Sequence, residues 1–301
     1  MLPRHISPML AQLAREPFDS PHHLFEIKWD GTRCLAFIEH GRIRLENRRF
    51  VDMAPVFPEL RSLQNLPENS VLDGELIVLI EGKPSFPRLQ ERVQTRSSTR
   101  AAFLAQLHPA TFMAFDLLYL NDRPLLDRPL LERRDRLHDM VQRYASPTLV
   151  FSEGVLEHGT RFFSEIRHAG FEGMMAKQID SPYLVGCRSS YWKKVKVGQI
   201  QEFAIIGFLQ REHEPAISAL LLGEDKQGTW MYRGRVGSGF TEEDRHRLFE
   251  QLMSKPPLPS PPADGPKRAQ WRKTDLRCRV HFMEKTAGGK LRAPIFKGLV
   301  K

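Results

Sequence analysis

The sequence predicts an α+β fold in two parts: a mixed domain over residues 1–197 in which antiparallel strands dominate, and a small β-barrel over residues 198–301. Three observations carry this. The first part alternates apolar and polar residues or runs apolar for strand-length stretches, and helical spacing is rare in it. After Gly198 the texture shifts to short β-rich stretches separated by glycine turns. That second part has room for only one helix, and about five short strands with one helix in roughly 100 residues is the content of a Greek-key barrel of the OB type.

Taken in order, residues 25–46 read as two alternating strands joined at His40-Gly41. Val71–Ile80 is a strand with Asp73-Gly74-Glu75 inside it, closed by the Glu81-Gly82 turn. Thr111–Leu120 is a largely apolar strand ending at Asn121-Asp122. Leu130–Arg143 has helical spacing, with Leu130, Leu131, Leu137 and Val141 on its buried side. Residues 160–169 form a helix stopped by Gly170 and lead into a strand over Glu172–Lys177. Tyr191–Val197 closes the first domain as a strand. In the second, strands fall at 203–209, 216–222, 229–236 and Leu276–Phe282, with a helix at 242–253 capped by Thr241. Six prolines between Pro256 and Pro266 make that segment a loop.

Charge and cysteine content narrow the class. The formal charge is +9. Residues 1–197 hold 27 basic and 24 acidic side chains, the last 104 residues 18 and 12, so the smaller part carries most of the excess. A basic face of that kind suits a phosphate backbone as well as plain solubility. Cys34, Cys187 and Cys278 form no C-x-x-C pair, which argues against a disulfide framework or a zinc site and reads as three buried thiols in a reducing compartment. No signal-peptide core and no apolar run of membrane-spanning length is present, so the expectation is a cytoplasmic protein with no membrane partner.

Polar groups that interrupt apolar strands are where chemistry is usually placed. Lys28 and Arg33 flank the turn Trp29–Thr32, Arg48 follows the second strand, Glu75 lies inside the third, and Glu172 opens a later one. Lys194 and Lys196 are two apart on a strand and so share a face, while Lys193 between them points the other way into solvent. Together these residues offer a nucleophile, two carboxylates for a metal and cations for a polyphosphate, the set that phosphoryl or nucleotidyl transfer needs. A lysine near neutral pH is protonated, and neighbouring cations with a desolvated pocket are what lower its pKa enough for attack on phosphorus. No Walker A loop and no H-E-x-x-H is present, so side chains rather than a glycine-rich loop must hold the phosphates.

In this arrangement the chain resembles the ATP-dependent DNA ligases of the covalent nucleotidyltransferase superfamily, and within them the compact ligases and ligase modules of bacterial end-joining systems. Lys28–Arg33 (KWDGTR), Asn47-Arg48-Arg49, LDGE at 72–75, FMAFDLLYL at 112–120, EGMMAK at 172–177, WKKVK at 192–196 and LRAPIFKG at 291–298 follow the family's motifs in order. The resemblance implies an adenylyltransferase domain of antiparallel sheets with helices, ATP-grasp-like, over 1–197 and an OB-fold over 198–301.

It also implies roles. Lys28 would take the AMP of ATP covalently. Glu26 would lie at the adenine edge and Phe115 on its face. Arg33 and Arg48 would contact ribose and phosphates, and Lys194 and Lys196 the α-phosphate. Glu172 would be the main ligand of magnesium, with manganese as the alternative, and Glu75 would bind ribose or support the metal. Asp30 would cap the turn near that metal. Arg292 would reach from the OB domain to orient pyrophosphate in the first step. The implied substrate is nicked duplex DNA, the implied form a nucleoid-associated monomer, and the implied partner an end-joining or repair protein that recruits it.

Two departures stand out. The family's motif VI ends in a second basic residue where this chain has Val300, leaving Lys297 or Lys301 to substitute. Only 27 residues precede Lys28, too few for an N-terminal DNA-binding domain, so the grip on DNA is expected from the two domains themselves or from a partner. The competing readings are an RNA ligase or GTP-dependent capping enzyme, and a non-catalytic DNA-binding scaffold. Trp29 after the lysine disfavours the former, and the intact lysines and carboxylates disfavour the latter.

Overall fold

Strand alternation and helix caps decide where each element begins and ends in the computed structural model, which describes residues 2–286 and 288–300. Lys301, one of the two lysines expected to substitute at motif VI, lies outside the described residues. The chain divides into two compact units, Met1–Lys196 and Val197–Lys301.

The first unit is built from β1 (Leu10–Leu13), β2 (Ser20–Ile27), β3 (Thr32–Glu39), β4 (Arg42–Asn47), β5 (Ser70–Ile80), β6 (Lys83–Pro84), β7 (Ala110–Leu120), β8 (Arg123–Pro124), β9 (Leu149–Phe151), β10 (Gly154–Glu157), β11 (Gly173–Gln178) and β12 (Arg188–Lys196). Its helices are α1 (Phe86–Val93), α2 (Ser98–Leu107), α3 (Leu130–Arg143) and α4 (Gly159–His168). They form two sheets. One runs β1-β12-β11-β2-β10, the other β4-β3-β5-β7-β8 with β6 on β5 and β9 on β7. Pairing is antiparallel apart from β1 with β12 and β7 with β9.

The two-residue period of β3 explains how the sheets stack. Cys34, Ala36 and Ile38 enter one core, with Leu72, Phe112 and Leu137, whereas Leu35 and Phe37 enter another, with Met9, Phe115, Tyr183 and Trp192. That second core lies between the sheets. A third joins Phe25, Met174 and Val195 to Ile166 of α4.

The segment 25–46 is three strands, not two. The chain leaves β2 after Ile27, and Lys28 donates its backbone N–H to the Gly173 carbonyl at 2.9 Å. It turns at Gly31, where a β-carbon would collide with the Leu76 carbonyl, and enters the other sheet as β3. Alternation runs across this crossing without a mark. Lys28 therefore sits between the sheets rather than inside a strand.

The second unit contains β13 (Gln199–Gln210), β14 (Ile217–Lys226), β15 (Thr229–Val236), α5 (Glu242–Met253), β16 (Gln270–Trp271), β17 (Arg277–Phe282), β18 (Glu284–Lys285), β19 (Leu291–Arg292) and β20 (Ile295–Leu299). Its main sheet runs β15-β14-β13-β17-β20 with β16 on β13, and β18 pairs with β19 in a separate hairpin. Five long strands and one helix make this an OB-fold. Thr241 caps α5 through a capping box with Asp244, as its sequence predicts. One core packs Phe203, Leu220, Leu222, Leu248, Val280 and Phe282, and a smaller one seats Leu258 of the proline-rich loop beside Tyr232 and Trp271.

Two smaller expectations are corrected. Cys34 and Cys278 are buried, but Cys187 is exposed, because it lies in the loop before β12. Lys193 does point away from Lys194, yet it is half-buried, its ammonium 5.0 Å from the centre of the Phe18 ring.

Candidate active site

The first unit encloses a cavity of about 670 Å³. Glu26 and Lys28 reach it from the end of β2, Arg33 from β3, Arg48 from the turn after β4, Glu75 from β5, Phe115 from β7 and Lys194 from β12. Seven of the residues singled out in the sequence thus converge from two sheets on one space.

One end is aromatic and buried. Glu26, only 1% exposed, is ion-paired with Lys177 at 2.6 Å and with Arg134 of α3. The Lys177 ammonium lies 4.1 Å from the centre of the Phe115 ring and 4.5 Å from that of Trp192. Burial lowers the Lys177 pKa, and Glu26 opposes that shift. Phe115 is largely buried, so its core packing is real, but its ring also lines the cavity. A flat apolar face beside an acceptor and a donor suits a purine base.

The floor is fixed by Asp73. It accepts two 2.5 Å bonds from the Arg33 guanidinium and one of 2.6 Å from the Tyr183 hydroxyl, which itself accepts from the Met9 N–H at 3.0 Å. Arg33 is thereby held with its guanidinium 4.6 Å from the Phe115 ring centre. Burial with Asp73 raises the Tyr183 hydroxyl well above its usual range.

The other end is charged. Lys28 is ion-paired with Glu172, which also binds Lys196 at 3.1 Å. Glu172 stands immediately before β11, and it and Lys196 meet the cavity through Lys28 rather than by lining it. Burial lowers the Lys194 pKa, and repulsion from Lys196 and Lys28 lowers it further. Burial pushes the half-buried Glu75 up to about 7, against the pull of Arg33 and Lys28. Asp30 at the rim is raised by partial burial and then by Glu172. Arg48 and Arg49 stand exposed on a turn held by the Asn47 side chain, which accepts from the N–H of Arg49 at 2.8 Å and of Val51 at 3.2 Å. Arg292 belongs to the second unit, exposed on β19.

Sequence reasoning gave no role to four residues that the structure places at the site. Lys177 was legible in principle, since it is the one charged residue within β11. Arg134 was hidden because it sits in a helix crowded with arginines. Arg49 stands in the quoted motif without a role of its own, and Arg188 follows no pattern that separates it from surface cations; both line the cavity.

A nucleotidyltransferase domain followed by an OB-fold is the class that this architecture defines. The chain belongs to the ATP-dependent DNA ligase family: the ATP dependent DNA ligase domain matches residues 8–196, and the ATP dependent DNA ligase C terminal region matches residues 213–301. It is 33% identical to the multifunctional non-homologous end joining protein LigD of Mycolicibacterium smegmatis, with 99% of this chain aligned to 38% of that protein. LigD of Pseudomonas aeruginosa is likewise 33% identical, over 99% of this chain and 36% of its own. The chain therefore spans little more than a third of these relatives. Among solved structures, the ligase domain of Mycobacterium tuberculosis LigD superposes with a TM-score of 0.61 at 32% identity, covering 99% of this chain and 95% of that one. A mycobacterial DNA ligase D complexed with ATP and MES gives 0.58 at 31%, with the same coverage.

Proposed function

We propose that this chain is an ATP-dependent DNA ligase that seals nicks between a 5′-phosphate and a 3′-hydroxyl, working in end joining or repair. The observation that carries the reading is the placement of Lys28, between an aromatic end with Glu26, Phe115 and Lys177 and a cationic end with Arg48 and Lys194.

In the first step Lys28 Nζ bonds to the α-phosphorus of ATP, the bridging P–O bond to the β-phosphate breaks, and pyrophosphate leaves. Lys28 and Lys196 share the Glu172 carboxylate, and Lys194 lies near enough for both to repel its ammonium, so cationic charge is concentrated where the phosphates must bind. Attack itself requires Lys28 as the free amine, its proton passing to Glu172 or to water. Arg33, locked by Asp73, and Arg48 hold ribose and phosphate oxygens, and Lys194 and Lys196 neutralise charge at the α-phosphate. The AMP then passes to the 5′-phosphate of a nick, and the 3′-hydroxyl displaces it. Arg292 of the second unit is assigned to pyrophosphate on the family resemblance.

Magnesium, or manganese in its place, would supply charge neutralisation at the phosphates, with Glu172 and Glu75 as its ligands. The donor set fits: both are hard oxygen ligands, and the upward shifts at Glu75 and Asp30 come partly from neighbouring carboxylates. Among the described residues no three acidic, histidine or cysteine groups form a ready metal cage. Magnesium typically takes one or two carboxylates together with substrate phosphates rather than such a cage.

Recruitment by an end-joining or repair protein, action as a monomer and a cytoplasmic, nucleoid-associated place of work complete the proposal. They rest on the kinship with LigD. No helix among the described residues is long and apolar enough to cross a membrane.

Label transfer from ATP marked at the α-phosphate tests the reading. Label should stay on the intact protein, vanish in Lys28→Ala and chase into sealed nicked DNA. Label from GTP alone, or a chase only into nicked RNA, would replace this reading with a capping-type or RNA ligase. A protein that stays unlabelled even after pyrophosphate has stripped any AMP already attached would be a scaffold.

A further inference from the structure

Arg292 is carried by a two-strand hairpin, and the second unit holds that hairpin with a salt-bridge clip. β18 and β19 pair only at Glu284 with Arg292 and at Lys285 with Leu291, too few residues for a hairpin to be stable alone. Its tip is tied by backbone bonds from Thr286 N–H to the Lys290 carbonyl and from Gly289 N–H to the Thr286 carbonyl, both 2.8 Å. Leu291 is 8% exposed and joins the barrel core, so the residue beside Arg292 is anchored.

Two side-chain contacts then fix the hairpin's attitude. Glu224 of β14 accepts from Arg233 Nε of β15 at 2.8 Å with one oxygen and from Lys285 Nζ at 3.2 Å with the other. Arg233 is itself buried, and the turn lies against it: a β-carbon at Gly289, where φ is +72°, would strike its guanidinium. At the tip, Lys290 pairs with Asp264 of the proline-rich loop at 3.2 Å, its ammonium 5.3 Å from the centre of the Tyr232 ring. Leu258 of the same loop is seated in the core beside Trp271, which makes the loop a fixed post.

We propose that Glu224 is a positioning residue for Arg292, with Asp264 as its auxiliary: the Glu224–Arg233–Lys285 clip sets the orientation of the β18–β19 hairpin and thereby the rate of lysyl-AMP formation, without acting on the sealing chemistry. This rests on the reading that assigns Arg292 to the first step. A side chain that must meet a leaving group within tenths of an ångström is sensitive to the tilt of its support, and misplacement by 1 Å costs up to about a hundredfold.

The test separates the steps in the whole 301-residue chain. Single-turnover formation of lysyl-AMP is measured at saturating ATP, and sealing is measured separately on a nick already carrying AMP on its 5′-phosphate. Glu224→Gln should slow the first at least about tenfold and leave the second within about twofold of wild type. Glu224→Asp should recover part of the loss, and Asp264→Asn should show a smaller loss of the same kind. Amide hydrogen exchange at Thr286, Gly289 and Lys290 should quicken in Glu224→Gln, a readout independent of catalysis. Equal loss in both reactions would overturn the proposal in favour of a general role in stability. So would an unchanged first step in Glu224→Gln beside a slowed one in Arg292→Ala. A normal first step in Arg292→Ala would instead overturn the reading of Arg292 on which the proposal stands.

Discussion

Glu75 shows how one side chain can register both burial and function. Its carboxyl lies on a largely apolar strand, where burial outweighs the attraction of Arg33 and Lys28 and lifts it to about 7. In the unfolded chain it titrates near 4.5. Below that value both states hold the proton and folding costs nothing there. As pH rises toward 7 the unfolded chain ionises first, so stability is lost across that window and stays lost above it. The loss is at most about 3 to 4 kcal/mol, and less in practice because the carboxyl keeps some contact with solvent. Urea unfolding at pH 5 and pH 8 should show Glu75→Gln losing less stability with pH than wild type. Identical slopes for the two proteins would show that Glu75 is ionised well below neutrality. At the neighbouring Lys28 the expectation is categorical, with no covalent AMP in Lys28→Ala under any metal.

At the scale of elements, α3 was placed to the residue by its sequence but its purpose was not. Its periodicity predicts Leu130 and Leu137 correctly, but Leu131 and Val141 are only half-buried, and Arg133, Arg134 and Met140 are buried in their company. Arg133 makes a two-pronged pair with Asp116 at 2.7 and 2.8 Å, and Arg134 holds Glu26 and donates to the Ser152 carbonyl at 2.8 Å. Adjacent arginines thus serve different ends. Removing either partner of a buried pair costs about 3–5 kcal/mol, so Arg133→Gln and Arg134→Gln should both lower Tm. Only Arg134→Gln should weaken ATP binding by calorimetry, because only Arg134 touches a cavity-lining residue. Equal effects on affinity would show that the helix acts as one rigid support.

The same contrast explains what was legible elsewhere. β5, β7 and α5 could be read to within a residue because β5 and β7 are largely apolar runs closed by a turn and α5 is a periodic run opened by a cap. α1 was invisible because it is eight residues long. The crossing at Gly31 was invisible because it depends on a carbonyl from a strand some 45 residues on. The site was read from motif order, and the sequence could place Glu26 and Phe115 near each other only through that order. The ion pairs of Lys177 and Arg134 needed the fold.

On the scale of the whole molecule, two units with separate cores divide the labour of binding. The first carries the cavity proposed for the nucleotide and a nearly balanced charge, the second the larger basic excess. Neutralising Z phosphates of duplex DNA makes log K fall against log salt with a slope of about −0.9Z. If the second unit's face supplies those contacts, binding to a nick must weaken steeply between low and moderate salt. Lys267, exposed on the rim of a second groove lined also by Arg211, Arg235 and Arg268, is a cation on which to test this. Lys267→Ala should reduce the slope by about 0.9 while leaving lysyl-AMP formation from ATP unchanged, since that step needs no DNA. Fluorescence anisotropy across a salt series reads the slope directly. Binding that ignores salt would place the grip on DNA away from the basic face, in contacts to sugar and bases or in a second protein.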